Sequence, residues 1–550
     1  MPRPRLRTLT LVALSPSSHR TASTAATLQP HTRHDPRWEG WQPTIGLELH
    51  VQLKGNPKLF SHETATYDAT PNTHVAPFDA ALPGTLPTLH PTPLRLALLA
   101  SLALKSQINP LSRFDRKHYF YPDLVAGWQV TQRYCSKRGK GKAVDVGGAA
   151  KAEEEQDEFF TVRLEQVQLE QDTAKSFHDP SLPLGPGTLV DLNRAGAALI
   201  EIVTKPDMRS PEEAASFVKA LQSILRSSGV SGANMEKGEL RCDVNVSVSP
   251  LSSPGSGTRC EVKNLNGVRF ISAAIESEIK RQIALLQAGE EVESSTLGFS
   301  ALTLETFHLR SKESSPDYRY MPDPELSPLA VSAELVRKLE GEVGELPLER
   351  EERVRATYGL GRREVGGVGV RWFEEIVRGA EGEEGGGRDP KVVMNWLIHT
   401  LLGLLSRHSF TLSTSPLSPS DLGALIDAVS SKRMNGTEAK GVVGDWLAAM
   451  REGREEKGGF GEVLRRELES RPAPSPSSSS SSDAATDSEG DTAFTALIDS
   501  LLASHPTEVS KIRAGQTKVI QRLVGEAMKR SRGRADAKRV AEEIGRRLGV

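Results

Sequence analysis

The stretch Ile45-Gly46-Leu47-Glu48-Leu49-His50-Val51-Gln52-Leu53 decides how the first half of the chain is read. Apolar residues hold positions 45, 47, 49, 51 and 53, and Glu48, His50 and Gln52 fall between them. Strand side chains point alternately to opposite faces. A strand here buries one face and presents a carboxylate and an imidazole on the other. Such a pair can hold a divalent cation or pass a proton. Taken singly, a solvated outer face is the simpler account.

The pattern returns three times. In Val167-Gln168-Leu169-Glu170-Gln171-Asp172, Glu170 and Asp172 share a face. In Arg241-Cys242-Asp243-Val244-Asn245-Val246-Ser247-Val248 the even positions are apolar, and the odd face carries Arg241, Asp243, Asn245 and Ser247. In Arg259-Cys260-Glu261-Val262-Lys263-Asn264 the odd face carries Arg259, Glu261 and Lys263. One polar-faced strand is ordinary. Four that combine acids with Arg, Lys, His or Asn point to one concave sheet lining a site. Carboxylates there would hold Mg²⁺, and Arg and Lys would neutralise phosphate oxygens. That is the inventory of phosphoryl transfer. There is no Gly-x-x-x-x-Gly-Lys-Ser/Thr loop and no Gly-x-Gly-x-x-Gly after a strand, so a nucleotide would be held by the sheet. Phe114 to Leu124, Asp191 to Gly196 followed by Glu201, and Asp317 to Asp323 are further polar clusters. The aromatics beside their cations can stack on a base or ribose, or can only pack a loop.

Helix signals surround these strands. Thr92-Pro93 opens an apolar helix, with Thr92 as N-cap. Ser210-Pro211-Glu212-Glu213 has capping-box spacing and opens a helix running to Gly229. A third helix spans about Phe270 to Ala288. Strands interspersed with helices predict an α+β fold around an antiparallel sheet. Residues 136–157, Lys/Gly-rich then acidic, read as a surface insertion. After about Ala330 the pattern is helical, including an amphipathic stretch from Lys391 to Arg407. The expected organisation is a catalytic domain over 38–330, a helical domain over 331–465, a Ser/Pro-rich linker over 466–492 and a helical tail over 493–550.

Charge is nearly balanced, 69 basic against 71 acidic residues, so only local asymmetry points to a partner. From Lys511 to Val550 there are twelve basic and four acidic residues. Lys529, Arg530, Arg532 and Arg534 crowd together there, as a phosphate-backbone footprint or as a solvated basic helix. Residues 1–34 hold five arginines, ten Ser or Thr and no acid, the composition of an organelle transit peptide; a disordered basic tail is the alternative. Three cysteines, Cys135, Cys242 and Cys260, suit a reducing compartment better than a disulfide scaffold. No apolar run is long enough to span a bilayer, so no membrane span is expected.

Together these segments resemble the B subunit of the glutamyl-tRNA(Gln)/aspartyl-tRNA(Asn) amidotransferases, the GatB family. The resemblance rests on Ile45 to Lys54, Pro83-Gly-Thr-Leu-Pro87, Phe114 to Leu124, Glu170 to Lys175, Asp191 to Gly196, Leu199 to Val203, Glu239 to Val246, Gly257 to Asn266, Asp317 to Pro322 and Val524 to Lys529. It covers about residue 43 to the C-terminus, apart from the insertions. It implies a catalytic domain like that of glutamine synthetase, then an all-helical domain and a small tail domain that contacts tRNA. It implies ATP-dependent phosphorylation of the γ-carboxylate of Glu on mischarged Glu-tRNA(Gln), and amidation to Gln-tRNA(Gln). The ammonia would come from a partner amidase subunit, with a small third subunit in the complex, in the mitochondrial matrix. By position, the resemblance puts Mg²⁺ on Glu48, His50, Glu170 and Glu261, keeps Asp172 and Asp243 nearby, and makes Arg194, Arg241, Arg259 and Lys263 the phosphate and carboxylate clamps.

Three departures stand out. Relatives with a zinc site carry cysteines in the stretch equivalent to Phe60–Leu82; this stretch has none, so zinc is not expected. Gln168 and Glu526 stand where the family often has His and Gln. The rival reading is a noncatalytic tRNA-binding scaffold subunit, against which the retained Glu48, His50, Glu170, Arg241, Glu261 and Lys263 speak.

Overall fold

Glu48 and His50 lie on a strand at the centre of a large sheet, and the alternation that predicts that strand is met along it. In β1 (Trp41–Gln52), Ile45, Leu47, Leu49 and Val51 are buried, while Glu48, His50 and Gln52 are partly open. The computed structural model describes residues 35–550 apart from 56, 67, 135–142, 148–158, 184–186, 312–316, 361–368, 380–386, 455–457, 470–487, 514–518, 531–536 and 549–550. The expected transit segment and most of the expected linker lie outside the described residues.

The remaining elements of the first unit follow in chain order. They are α1 (Pro91–Ala103), β2 (Leu111–His118), β3 (Trp128–Tyr134), β4 (Ala143–Gly147), β5 (Phe159–Gln171), β6 (Lys175–Asp179), β7 (Gly187–Asp191) and β8 (Ala198–Thr204). Then come α2 (Pro211–Ser227), β9 (Leu240–Pro250), β10 (Cys260–Leu265), α3 (Val268–Gln287), β11 (Ser295–Ser300), β12 (Glu305–Ser311), β13 (Met321–Pro322), β14 (Leu329–Ala330) and α4 (Ala333–Val343). Twelve strands form one sheet in the order β12-β11-β10-β9-β1-β8-β5-β3-β2-β13, with β14 also on β2 and β4 also on β5; β6 and β7 pair separately.

The α+β expectation is met, with one refinement. The β10–β11 pair is parallel and the other pairs are antiparallel. A parallel step needs a crossover, and α3 is that crossover. The apolar face of the sheet is closed by α1, α2 and α3, whose Leu99, Phe217, Leu221, Ile271 and Ile275 join its core.

Local chemistry sets the helix starts. Ser210 caps α2, its Oγ accepting from the Glu213 N–H at 3.2 Å. The Glu213 carboxylate returns to the Arg209 N–H, one residue before the cap. The start of α1 differs from expectation: His90 is the N-cap and Pro91 the first helical residue, two positions before Thr92 and Pro93. A ring nitrogen of His90 accepts from the Thr92 N–H, and a helix's first turn tolerates both prolines because its N–H groups have no intrahelical partner. The region read as a surface insertion also holds a strand, since β4 pairs Val144 with Val162 and Val146 with Phe160 of β5. Those residues alternate apolar and polar over too short a run to stand out beside the Lys/Gly-rich stretch.

The first compact unit ends at Leu346 rather than near 330, because Leu339 and Leu346 belong to the sheet's core. The second unit, Pro347–Val550, is helical. One of its cores runs from Val354 to Leu464 and includes Phe373, Trp396 and Trp446. Another gathers Ile498, Leu501, Ile512, Leu523, Val540 and Ile544 from the tail helices. The stretch Lys391–Arg407 is helical throughout, passing through a π-helical segment at Leu397–Leu401.

Candidate active site

Strand register assembles the polar face. On β1, Glu48 lies opposite Asp243 of β9, and His50 lies between Arg241 of β9 and Glu201 of β8. Gln168 of β5 pairs with Glu201, and Glu170 pairs with Thr131 of β3. Glu261 of β10 stands opposite Asn245. The four strands singled out by sequence are thus in one sheet, with β8 inserted between β1 and β5.

His50 is the hub. Its Nε2 lies 3.4 Å from a Glu48 oxygen and its Nδ1 3.3 Å from a Glu170 oxygen. Burial opposes a charged imidazole, but the hydrogen bonds to Glu170 and Glu48 outweigh it and hold the His50 pKa up at about 10. The hydrogen bond from His50 in turn holds the Glu48 carboxyl below its ordinary value. Glu170 is almost fully buried, and Lys117 approaches its second oxygen at 3.7 Å. Glu201 accepts from the Gln168 amide. Burial first, and then the charges of Glu170 and Glu48, push its pKa up to about 7.

Asp243 accepts from Lys263 Nζ at 2.9 Å and from the Asn264 N–H at 2.8 Å. Lys263 also reaches Glu261 at 3.3 Å. Two acids outweigh burial and raise the Lys263 pKa, so it stays charged. One ligand atom each from Glu48, His50 and Asp243 lies within 4.8 Å of the others. This grouping differs from the sequence assignment. Asp243 takes the place given to Glu261, which Lys263 occupies, and Glu170 stands across the imidazole ring from Glu48. Carboxylate, imidazole and carboxylate are a donor set suited to a divalent cation once the ion displaces the Nε2 proton of His50, and a ligating histidine commonly donates its other N–H to a carboxylate, as Nδ1 can to Glu170.

Beyond the end of β5, Asp172 gathers two of the expected clamps. Arg241 donates to both its oxygens at 2.9 Å, and Arg194 lies 3.6 Å away while donating to the Thr173 and Ala174 carbonyls. Arg194, Arg241, Lys175 and Lys237 line one cavity of about 330 Å³. The turn carrying Arg194 is held from beneath. Lys58 is fully buried and donates to Asp79, the Leu192 carbonyl and the His74 carbonyl. The turn ends at Gly196, where φ is +82° and a Cβ would meet Asp79 Oδ1 at 2.9 Å, so both the backbone and the space require glycine. Ser61 also donates to Asp79. The cysteine-free stretch thus closes on a buried ion pair.

Two groups of expected site residues are not brought in. Arg259 precedes β10 and is exposed, and no ion pair joins it to another described residue. Of the tail cations, Lys529 and Arg530 are exposed at the end of the helix Ile520–Arg530, while Arg532 and Arg534 lie outside the described residues. Sequence reasoning named Glu201 and Lys117 in neighbouring polar clusters and Gln168 beside Glu170, but assigned none of them a role in the site. A signal existed for Glu201: one acid in Leu199-Ile200-Glu201-Ile202-Val203, a strand apolar on both faces, needs a buried partner.

The family model of the GatB/GatE catalytic domain matches residues 43–337, and that of the GatB domain matches 372–456 and 486–548. The chain is similar to the B subunit of the mitochondrial glutamyl-tRNA(Gln) amidotransferase of Laccaria bicolor, 43% identical with 92% of each chain covered. It is also similar to the one of Naegleria gruberi, 38% identical over 90% of this chain and 93% of that one. The B subunit of the aspartyl/glutamyl-tRNA(Asn/Gln) amidotransferase of Azorhizobium caulinodans is 38% identical over 93% of this chain and 96% of its own. With the sheet site, the helical second unit and matches along nearly its whole length, the chain belongs to the GatB family of amidotransferase B subunits.

Proposed function

We propose that this chain activates the γ-carboxylate of glutamate on Glu-tRNA(Gln) with ATP and passes it to ammonia, yielding Gln-tRNA(Gln). The observation that carries the reading is the face on which His50 joins Glu48 to Glu170, beside Lys263–Asp243 and Arg241–Asp172. A carboxylate is a poor acyl donor. Its oxygen attacks the γ-phosphorus, the bond to ADP breaks, and the resulting acyl phosphate has a good leaving group. Ammonia then attacks the carbonyl carbon, and phosphate leaves.

Mg²⁺ would be held by Glu48, His50 and Asp243, where it would supply charge neutralisation for the phosphate oxygens. Glu170 orients His50 through Nδ1, and Lys117 stands 3.7 Å from the other Glu170 oxygen. Lys263 offers a fixed cation to a transferring phosphoryl group. Arg194 and Arg241, held by Asp172, face a cavity in which further phosphate charge would be matched. The names of the relatives support a subunit of an amidotransferase acting in mitochondria; an amidase partner and a small third subunit would complete the complex. The acid-free residues 1–34 would serve as the transit segment. Arg259 and the tail cations Lys529, Arg530, Arg532 and Arg534 keep their proposed roles towards phosphate and tRNA.

The test is reconstitution of residues 38–550 with a cognate amidase and small subunit, Mg²⁺, ATP and Glu-tRNA(Gln). ATP-dependent Gln-tRNA(Gln) is expected from both free ammonia and glutamine. Bound tRNA without product from either donor would overturn the activity.

A further inference from the structure

The polar face does not end at Lys117. Tyr119 follows β2 on the Lys117 side, and its ring centroid lies 5.8 Å from that of Tyr121 and 5.9 Å from that of Tyr318. Tyr318 continues to Tyr320 at 6.1 Å. The two segments are tied by backbone: the His118 N–H donates to the Tyr318 carbonyl, and Met321 pairs with Arg116. Cations flank the rings. Lys117 Nζ lies 5.0 Å from the Tyr318 centroid, and the Arg133 guanidinium 4.4 Å from that of Tyr320.

Two features set this cluster apart from a packed loop. The run is open at both ends and covered in the middle: Tyr121 is 58% exposed and Tyr320 40%, whereas Tyr119 and Tyr318 between them are partly buried, and Lys117 beside those two meets the buried Glu170. Rings that served only the core would be covered. Among the described residues the cluster also stands at the β2–β13 edge of the sheet.

We propose that Tyr121, Tyr119, Tyr318 and Tyr320 form a stacking track for the unpaired 3′ end of the charged RNA, leading its terminal ribose and amino acid towards Glu170 and His50. The inference rests on the reading that the substrate is a charged tRNA. Aromatic rings interleaved with Lys and Arg are the general means of holding single-stranded nucleic acid, because every base has a face to stack. The three ring contacts are edge to face, so the rings brace one another, and the exposed rings at the two ends of the run, Tyr121 and Tyr320, offer faces to more than one base. The cations suited to a triphosphate line a different cavity, near Arg194 and Arg241. Lys117 then has two tasks, neutralising Glu170 and meeting the last phosphate of the incoming strand.

The experiment uses the reconstituted complex with free ammonia as donor, comparing the native chain with Tyr121→Ala, Tyr320→Ala, the double variant and Tyr121→Phe. The KM for Glu-tRNA(Gln) is expected to rise between about fivefold and a hundredfold for each ring removed, while the KM for ATP stays unchanged. Tyr121→Phe, which keeps the ring, restores most of the loss seen with Tyr121→Ala. An unchanged KM for the RNA in the double variant, beside an active native chain, overturns the track. A rise in the KM for ATP instead makes the cluster an adenine slot, and loss of the amidase from the purified complex makes it a docking face for that partner; either overturns the proposal. An inactive native complex counts against the proposed function and is distinguishable, since it precedes any variant.

Discussion

The polar face of the sheet and the basic tail both gather charged side chains, and they hold them in opposite ways. On the sheet and just past the end of β5, charges are fixed by strand register and by hydrogen-bonded or oppositely charged neighbours, and several are buried: Glu170, Asp172, Glu201 and Asp243 are each less than 10% exposed. In the tail, Arg530 and Arg546 stand on helix surfaces and pair mainly with acids one turn away. Buried charges survive only when partnered, so each is placed tightly, and removing one leaves its partner stranded. Exposed pairs contribute little and can rearrange. Bond making requires the first arrangement; gripping a polyanion requires only the second.

The difference breaks most visibly at Lys58. Its ammonium has no solvent exposure, and Asp79 Oδ1 already lacks a partner. Lys58→Met should strand the Asp79 carboxylate and destabilise the first unit by about 3–5 kcal/mol. Lys58→Met with Asp79→Leu should recover most of that loss. Denaturant unfolding of both variants checks it, and a single variant within about 1 kcal/mol of the native chain would show that the pair is not a fastening.

Within the sheet, Glu170→Gln keeps the shape and removes the charge between His50 and Lys117. The rate of Gln-tRNA(Gln) formation should fall by about 10²–10³-fold, the scale for removing one organised electrostatic partner. Filter binding should find tRNA affinity unaltered. Equal turnover in a single-turnover assay would remove Glu170 from the chemistry.

What sequence makes legible follows the same division. The face of β1 is readable because alternation is local: Ile45, Leu47, Leu49 and Val51 are buried as the pattern requires. The gathering of four such strands is readable only as a shared composition. Which residues meet is a matter of register, and register is set across the sheet. Hence the sequence singles out Glu201 but not its partners, because His50 and Gln168 come from two other strands. That Asp243 rather than Glu261 lies beside Glu48 and His50 has a related reason. The bulge between Val262 and Leu265 places the Asn264 N–H on Asp243, and no pattern in Cys260–Leu265 announces a bulge. The start of α1 slips by two residues because Pro91 and Pro93 are both acceptable in a first turn.

Glu201 sharpens the comparison through pH. Its carboxyl is pushed from an ordinary 4.5 to about 7, by burial and then by Glu170 and Glu48. Between those values the folded state holds a proton that the unfolded state has released. Its contribution to stability therefore falls as pH rises from 4.5 to about 7, and is level above that. Glutamine does not titrate. In metal-free protein the stability of Glu201→Gln relative to the native chain should grow over that window and then stay constant. Urea unfolding at several pH values measures the difference, and a difference that is flat from pH 4.5 to 7 would place Glu201 in a wetter setting than its burial indicates.

The smallest effect belongs to the tail. Lys529 and Arg530 are exposed, and Arg530 is engaged only loosely, with Glu526 at 3.8 Å and the Ser500 carbonyl at 3.4 Å. Neither side chain needs to move far to meet a phosphate. Replacing both with alanine leaves the core of Leu523, Val524 and Ala527 untouched, so folding should be unaffected. If the pair meets RNA, the variant neutralises fewer phosphates and binding releases fewer counterions. The slope of log affinity against log salt should flatten by roughly one for each phosphate no longer neutralised, with a roughly three- to tenfold weaker complex at moderate salt. The rate at saturating tRNA should not change, because nothing on the sheet has moved. An unaltered slope would make this end of the helix a solvated face. A fall in the saturated rate would break the comparison itself, by showing that the tail positions the substrate as well as holding it.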